Sequence, residues 1–201
     1  MEKKILITCF EPFGGESFNA SAAVAENMPF VLAGYSVEKM NLPVEFGRGA
    51  SVAIERAKAV GASLVLAFGE AAARKTVMPE LVAINLAHAT VPDNAGKMPR
   101  DEAIDPFGAA AYFTPFPVRN LAEGIRNAGV PATLSYSAGA YVCNDLYYRL
   151  MREFEGSKTR VLFVHVPRAE GVAEYAEMGK AVSAALSEIL LSEAIAENVK
   201  K

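Results

Sequence analysis

Thr159-Arg-Val-Leu-Phe-Val-His165-Val-Pro is the stretch that most narrows what this chain can fold into. It is β-branched and apolar, follows Gly156 and is closed by Pro167, so it reads as a strand with His165 near its carboxyl end. Lys4 to Cys9 is a continuous apolar run, as in a central strand buried on both faces, and Ser63-Leu-Val-Leu-Ala-Phe-Gly69 is a third strong strand. A further strand is expected over Val37 to Val44, ended by Pro43. Helical patterns alternate with these runs. Asn19 is placed to cap a short helix through about Ala25, and Gly49 to Val60 carries Val52, Ile54 and Ala57 as an apolar stripe. Val118 to Ala128 is ended by Gly129, and Gly171 to Val199 sets Met178, Val182, Ala185, Ile189 and Leu190 on one face. Strands alternating with helices point to an α/β domain built on a parallel sheet.

The chemistry concentrates just before the Thr159 strand. Pro131 to Ser137 alternates toward an apolar strand, Gly139 allows a tight turn, and Cys143 to Glu155 carries Leu146, Leu150 and Phe154 at helical spacing. A thiol in that first helical turn meets unpaired backbone N–H groups and the positive end of the helix dipole, and both stabilise the nucleophilic thiolate. In a parallel strand-helix-strand unit, the loop after one strand and the end of the next share the carboxyl edge of the sheet, where open α/β sheets build their sites. Cys143 and His165 are therefore expected to meet. Singly, a free cysteine is often an inert core residue and a histidine in an apolar strand is usually just buried; their pairing is what makes them candidates.

The 201 residues suffice for one well-buried domain, and 52% hydrophobic with 21% charged residues is ordinary globular composition. No linker, repeat or low-complexity segment divides residues 1–201, so a single domain is expected. A net charge of −3 with dispersed Lys and Arg argues against nucleic-acid binding. No stretch is long enough to span a bilayer, and the short apolar run at the N-terminus ends in Glu11-Pro12, as a first strand does and a signal peptide does not. The cysteines Cys9 and Cys143 cannot form a disulfide scaffold, so a reducing cytoplasm is the expected compartment.

Three other segments lie toward the same edge. Phe10-Glu-Pro-Phe13-Gly-Gly15 places two phenylalanines in a turn, where they either plug the core or wall a pocket; the residues alone favour the plug. Gly69-Glu-Ala-Ala-Ala-Arg74-Lys75-Thr76 resembles a phosphate loop except that Arg74 replaces the second glycine and no helix follows, so a nucleotide site is rejected. Glu80 opens the β-rich Leu81-Val-Ala-Ile-Asn85 and could orient His165, although a solvated strand-end carboxylate is the commoner fate of glutamate. Thr90 to Phe107 is turn-rich without a clear strand or helix, and long loops in compact domains are often functional.

Phe10-Glu-Pro-Phe-Gly-Gly15, Glu80-Leu-Val-Ala-Ile-Asn85, Pro92-Asp-Asn-Ala-Gly96, Ala138-Gly-Ala-Tyr-Val-Cys143-Asn144 and Val164-His-Val-Pro167 resemble, in order and spacing, the successive signatures of the pyrrolidone-carboxylate peptidases, or pyroglutamyl peptidase I. The resemblance covers nearly the whole chain. It implies a three-layer α/β/α sandwich on a mixed, mostly parallel twisted sheet, and a cysteine peptidase that removes N-terminal pyroglutamate with a Cys143, His165 and Glu80 triad. It also implies no metal or organic cofactor, peptides with N-terminal pyroglutamate as partners, and a homo-oligomer, often a tetramer. Phe10 and Phe13 become pocket residues, Asn19 holds their loop, and Glu70, Thr90, Tyr141 and Val142 adjoin the substrate.

A neutral aromatic pocket suits such a substrate. Pyroglutamate is a flat lactam with no free amine, so a carboxylate waiting for an ammonium would be desolvated without a partner.

The chain departs from the pattern at several places. Glu70 stands where glutamine is usual, Ala72 and Ala73 where glycines are, Thr90 where arginine is and Tyr141 where phenylalanine is. An ionised Glu70 near the sulfur would disfavour thiolate. Two other readings stay open at this point: a non-catalytic relative that binds pyroglutamyl peptides or a partner protein, and a hydrolase of another N-acyl or lactam substrate.

Overall fold

The computed structural model describes residues 3–199. In chain order the elements are β1 (Lys4–Phe10), α1 (Ala20–Glu26), β2 (Val31–Leu32), β3 (Tyr35–Leu42), α2 (Arg48–Val60), β4 (Leu64–Glu70), β5 (Met78–Pro79), β6 (Val82–Ile84), β7 (Ala111–Phe113), α3 (Val118–Asn127), α4 (Val142–Glu153), β8 (Arg160–Val166) and α5 (Val172–Val199). The main sheet has the order β2-β3-β1-β4-β8-β5, and β6 and β7 form a separate antiparallel pair. Its centre, β3-β1-β4-β8, is parallel, while β2 and β5 close the two edges antiparallel. The sheet is therefore mixed and mostly parallel.

The apolar runs follow from burial on both faces. Along β1, Ile5, Ile7 and Cys9 point into one core with α1, α3 and α5, while Leu6 and Phe10 point into the other with α2 and α4. That alternation is the two-residue period of a strand, and it makes three layers. Each fully buried Ile, Leu or Phe side chain contributes roughly 1.5–3 kcal/mol of transfer free energy. The second core depends on small residues. In α2 the buried face is Gly49, Ala50, Ala53 and Ala57, while the expected Val52 and Ile54 are only half-buried. Gly49 explains this, because a Cβ there would stand 3.0 Å from the Pro43 carbonyl oxygen; the helix comes too close for branched side chains on that face.

Two expectations shift. Pro131 to Ser137 is not a strand of the main sheet: it runs extended beside residues 77–81, bridging at Ala132 and Ser135. Its bonds run from Val77 N to Pro131 O, Thr133 N to Val77 O, Ser135 N to Pro79 O and Leu81 N to Ser135 O, and the one donor missing from the ladder is Pro79, which accepts through its carbonyl but has no N–H to give. Glu80 accordingly lies between β5 and β6 and does not open a strand.

Candidate active site

β4 and β8 pair in register, with Gly69 opposite His165 and Glu70 opposite Val166, so both carboxyl ends reach one edge. α4 begins at the same edge, with Cys143 in its first turn. Two anchors hold that turn. Asn144, fully buried, accepts from Ile84 N at 3.0 Å and donates to Ile84 O and Leu86 O, which ties α4 to β6. Tyr147 donates to the Glu80 carbonyl at 3.0 Å.

Glu80 and His165 are both buried, and Glu80 Oε1 lies 2.7 Å from His165 Nδ1. Glu80 N also donates to Phe163 O at 2.9 Å, so the carboxylate is fixed to β8 by its backbone as well. The imidazole adjoins the half-buried Cys143 and packs on the Phe163 ring, with centroids 4.9 Å apart. Burial pulls the His165 pKa down, but hydrogen bonds to Cys143 and Glu80 and the negative charge of both outweigh it and push the pKa up to about 9. The surroundings therefore favour the protonated ring. Glu80 Oε2 is buried without a hydrogen-bond partner among the described residues.

Gly69, which sequence reasoning passed over, makes this approach possible. A Cβ there would stand 2.9 Å from Cys143 Sγ and 2.8 Å from the Phe163 ring. The signal was available: a glycine ending an otherwise apolar central strand often marks a close approach.

Beside Cys143 lies a cavity of about 70 Å³ with mostly apolar walls. Phe10, Phe13, Tyr141 and Val142 line it together with Val44, so the two phenylalanines wall a pocket, although Phe10 is also buried in the core. Tyr141 stacks near Phe13 and Phe46, at centroid distances of 5.9 and 5.3 Å, and donates its hydroxyl to Pro92 O at 3.0 Å. Asn19 caps α1 through Ser21 N and donates to Glu11 O at 3.0 Å, which holds the Phe13 loop. Thr90 is exposed and lines neither this cavity nor the one on the His165 side.

Glu70 also lines the cavity, but its charge is already paired. Oε2 accepts from Ala20 N at 2.7 Å, at the start of α1, and Oε1 lies 2.7 Å from Arg168, which also pairs with Glu16. The expectation of a lone charge facing the thiol is corrected by Arg168, a residue whose role depends on a partner 98 positions away.

The other histidine and the other cysteine lie apart from this site. His88 pairs with Asp101 at 2.8 Å on the surface. Cys9 is buried between β1 and the α1 side, and burial, with Glu26 adding to it against Lys39, pushes its pKa up to about 12. A larger groove of about 790 Å³ lies at the opposite, amino edge of the sheet, but its Arg160 is spent on Glu193 and no cysteine or histidine lines it.

With this geometry in view, comparison with known proteins is decisive. Residues 3–199 match the family model described as pyroglutamyl peptidase. The chain belongs to the pyroglutamyl peptidase family. A curated relative, pyrrolidone-carboxylate peptidase 2 of Caldanaerobacter subterraneus subsp. tengcongensis, is 40% identical over 166 residues, covering 82% of this chain and 81% of its own. Among solved structures, pyroglutamyl peptidase I from Bacillus amyloliquefaciens is 35% identical with a TM-score of 0.85, covering 93% of this chain and 95% of that one. A mutant pyrrolidone carboxyl peptidase from the hyperthermophile Pyrococcus furiosus is 30% identical with a TM-score of 0.86, covering 94% and 99%. The three-layer α/β arrangement is thus the family's own.

Proposed function

We propose that the protein is a cysteine omega-peptidase that cleaves the bond after an N-terminal pyroglutamyl residue, with Cys143 as nucleophile, His165 as acid and base, and Glu80 as the group that orients His165. The observation that carries this reading is the cavity beside Cys143: aromatic, small, and with its one carboxylate, Glu70, already paired to Arg168. An aminopeptidase needs a free carboxylate for the substrate ammonium. This pocket offers apolar walls to an uncharged ring instead.

The chemistry follows from the named groups. The Cys143 thiolate attacks the carbonyl joining pyroglutamate to the next residue, and the oxyanion forms at the start of α4. No side chain caps that first turn, so its backbone N–H groups and the helix dipole are available to the developing charge. The imidazolium of His165 gives its proton to the departing amine, leaving a thioester on Cys143 and a neutral ring. The neutral ring then takes a proton from water as its oxygen attacks the thioester carbonyl; the C–S bond breaks, pyroglutamate leaves as the free acid, and the Cys143 thiolate and His165 imidazolium are restored. Glu80 on Nδ1 fixes the ring orientation and stabilises the imidazolium.

We read residues 1–201 as one catalytic domain, because both cores share a single sheet. A reducing cytoplasm suits the free thiol. Exposed Leu191 and Ile195 on α5 favour a homo-oligomer. The experiment is release of a reporter amine from a pyroglutamyl conjugate, run beside alanyl and prolyl conjugates. Turnover confined to the pyroglutamyl conjugate supports the reading. Turnover of another conjugate alone points to a different N-acyl hydrolase, and no turnover points to a binding protein.

A further inference from the structure

The candidate active site has a second cavity, of about 160 Å³, on the His165 side. It shares no wall residue with the cavity beside Cys143. His165 and Glu80 form its inner wall, Met78 and Gly139 flank it, and Ser137 and Arg74 bring polar groups to it. The proposed chemistry requires a division of this kind. The acyl half of the substrate stays on sulfur, whereas the amine half departs with the proton that His165 carries. A cavity touching Cys143 therefore suits the acyl group, and one touching His165 suits the residue that leaves.

The walls of the second cavity have a definite charge pattern. Glu80 is balanced by the His165 imidazolium on Oε1, and the pair is buried. The Arg74 guanidinium, by contrast, makes no ion pair or side-chain hydrogen bond among the described residues, so it is the uncompensated charge on these walls. It is also well placed. The turn that carries it is held on one side by Ala71 N to Val166 O at 2.9 Å and by Arg74 N to Ala71 O at 2.8 Å. On the other side it is held by Thr76 Oγ1 against Thr133 Oγ1 at 2.7 Å. A cationic side chain carried on a fixed turn at the rim of a cavity the size of one residue selects for an anion within that residue.

We infer that the His165-side cavity seats the residue after the scissile bond, and that Arg74 makes the enzyme favour a leaving residue carrying a carboxylate. This inference rests on the proposed pyroglutamyl-peptidase reading and adds a specificity to it. The carboxylate has two sources: an Asp or Glu side chain in the first position after pyroglutamate, or the free terminal carboxylate of a pyroglutamyl dipeptide. Both present the same group one residue from the bond that breaks.

The test measures kcat/KM on the purified protein for pyroglutamyl-glutamate amide, pyroglutamyl-glutamine amide and pyroglutamyl-lysine amide, and for pyroglutamyl-alanine as free acid and as amide. The first set reads the side chain and the second the terminal carboxylate. Wild type is expected to favour the carboxylate-bearing member of at least one set by about fivefold, the scale of a rim ion pair, and less at high salt. In Arg74→Gln that ratio falls to about one, in Arg74→Lys most of it remains, and in Arg74→Glu it inverts toward lysine. Each ratio is taken within one preparation, so a loss of folded protein in any variant cancels. A wild-type ratio near one in both sets, or a ratio that survives both Arg74→Gln and Arg74→Glu, overturns the inference while pyroglutamyl turnover itself stands. No turnover of any pyroglutamyl substrate overturns both.

Discussion

Cys9 and Cys143 are the two thiols of this chain, and they lie in opposite halves of the molecule. Cys9 is in the middle of the parallel sheet, 3% exposed, with its Sγ against Asn41 Oδ1 at 2.9 Å and its pKa driven up to about 12 by burial. Cys143 is half-buried at a helix start, on the carboxyl edge, beside His165 and the small apolar cavity. The same side chain is a small hydrophobe in one place and, in the function proposed above, the nucleophile in the other. What differs is access and the charge nearby, not the residue.

The largest way to break this contrast is to exchange each thiol for a methyl. Cys143→Ala should cut turnover of a pyroglutamyl reporter by ~10⁴-fold or more, because the attacking group is gone. Its melting temperature should stay close to wild type. Cys9→Ala should keep kcat and lose about 1 kcal/mol of stability through a small buried void. An alkylating reagent followed by peptide mapping should label Cys143 and spare Cys9; the reverse labelling would reject the assignment.

Next in size is the histidine. His165→Gln should lower kcat by about 10³-fold, since no other group can pass the proton, whereas His88→Gln should change it less than about twofold. A chain that tolerates the first change and not the second would place the site elsewhere.

Gly69→Ala tests whether the thiol depends on the clearance beneath it. The added methyl meets Cys143 Sγ and the Phe163 ring, so kcat should fall about 10- to 100-fold, with roughly 1–3 kcal/mol of overpacking visible in denaturant melts. Unchanged kinetics would mean that the sulfur moves freely.

The pH profile sharpens the electrostatic half of the comparison. His165 titrates near 9 in the folded protein against an ordinary 6.5, so the imidazolium, and with it kcat/KM, should be lost as pH rises through about 9. Glu80 is one of the groups that raises it, so the residual activity of Glu80→Gln should lose its alkaline limb at lower pH. The same shift stabilises the fold: the contribution is complete below about 6.5 and lost as pH rises through about 9. The melting temperature of wild type relative to His165→Gln should decline across that window.

Glu70→Gln should have the smallest effect. From sequence, an ionised Glu70 would disfavour thiolate, and its removal would move the acid limb to lower pH. With Arg168 and Ala20 N sharing its charge, the limb should instead move little, and KM should rise by about twofold or less as the Glu70–Arg168–Glu16 link to the Phe13 loop is cut. A large downward move of the acid limb would show that Arg168 does not compensate it.

The site was legible where one local pattern carried it. A cysteine opening a periodic helix and a histidine ending an apolar strand are each written within about ten residues, and strand polarity then brings them to one edge. The strand over Pro131 to Ser137 misled because alternation alone cannot see that Pro79, on the neighbouring segment, lacks the N–H a ladder needs. Val52 and Ile54 misled for a similar reason: the distance from α2 to the Pro43 carbonyl, set by packing, gives the buried face to Gly49 and the alanines.

By itself the sequence determined the α/β alternation, the polarity of the strands, the cap at Asn19 and the place of Cys143 in the first turn of α4, because each is encoded by neighbours along the chain. Only the tertiary structure decided that Glu80 reaches His165 from outside any strand, that Arg168 takes up the charge of Glu70, and that Gly69 clears the space under Cys143. It also separated the two cavities on either side of the Cys143–His165 pair. Those features join residues tens of positions apart, and their distances are set by how two helical layers close on a twisted sheet. No local period carries that information.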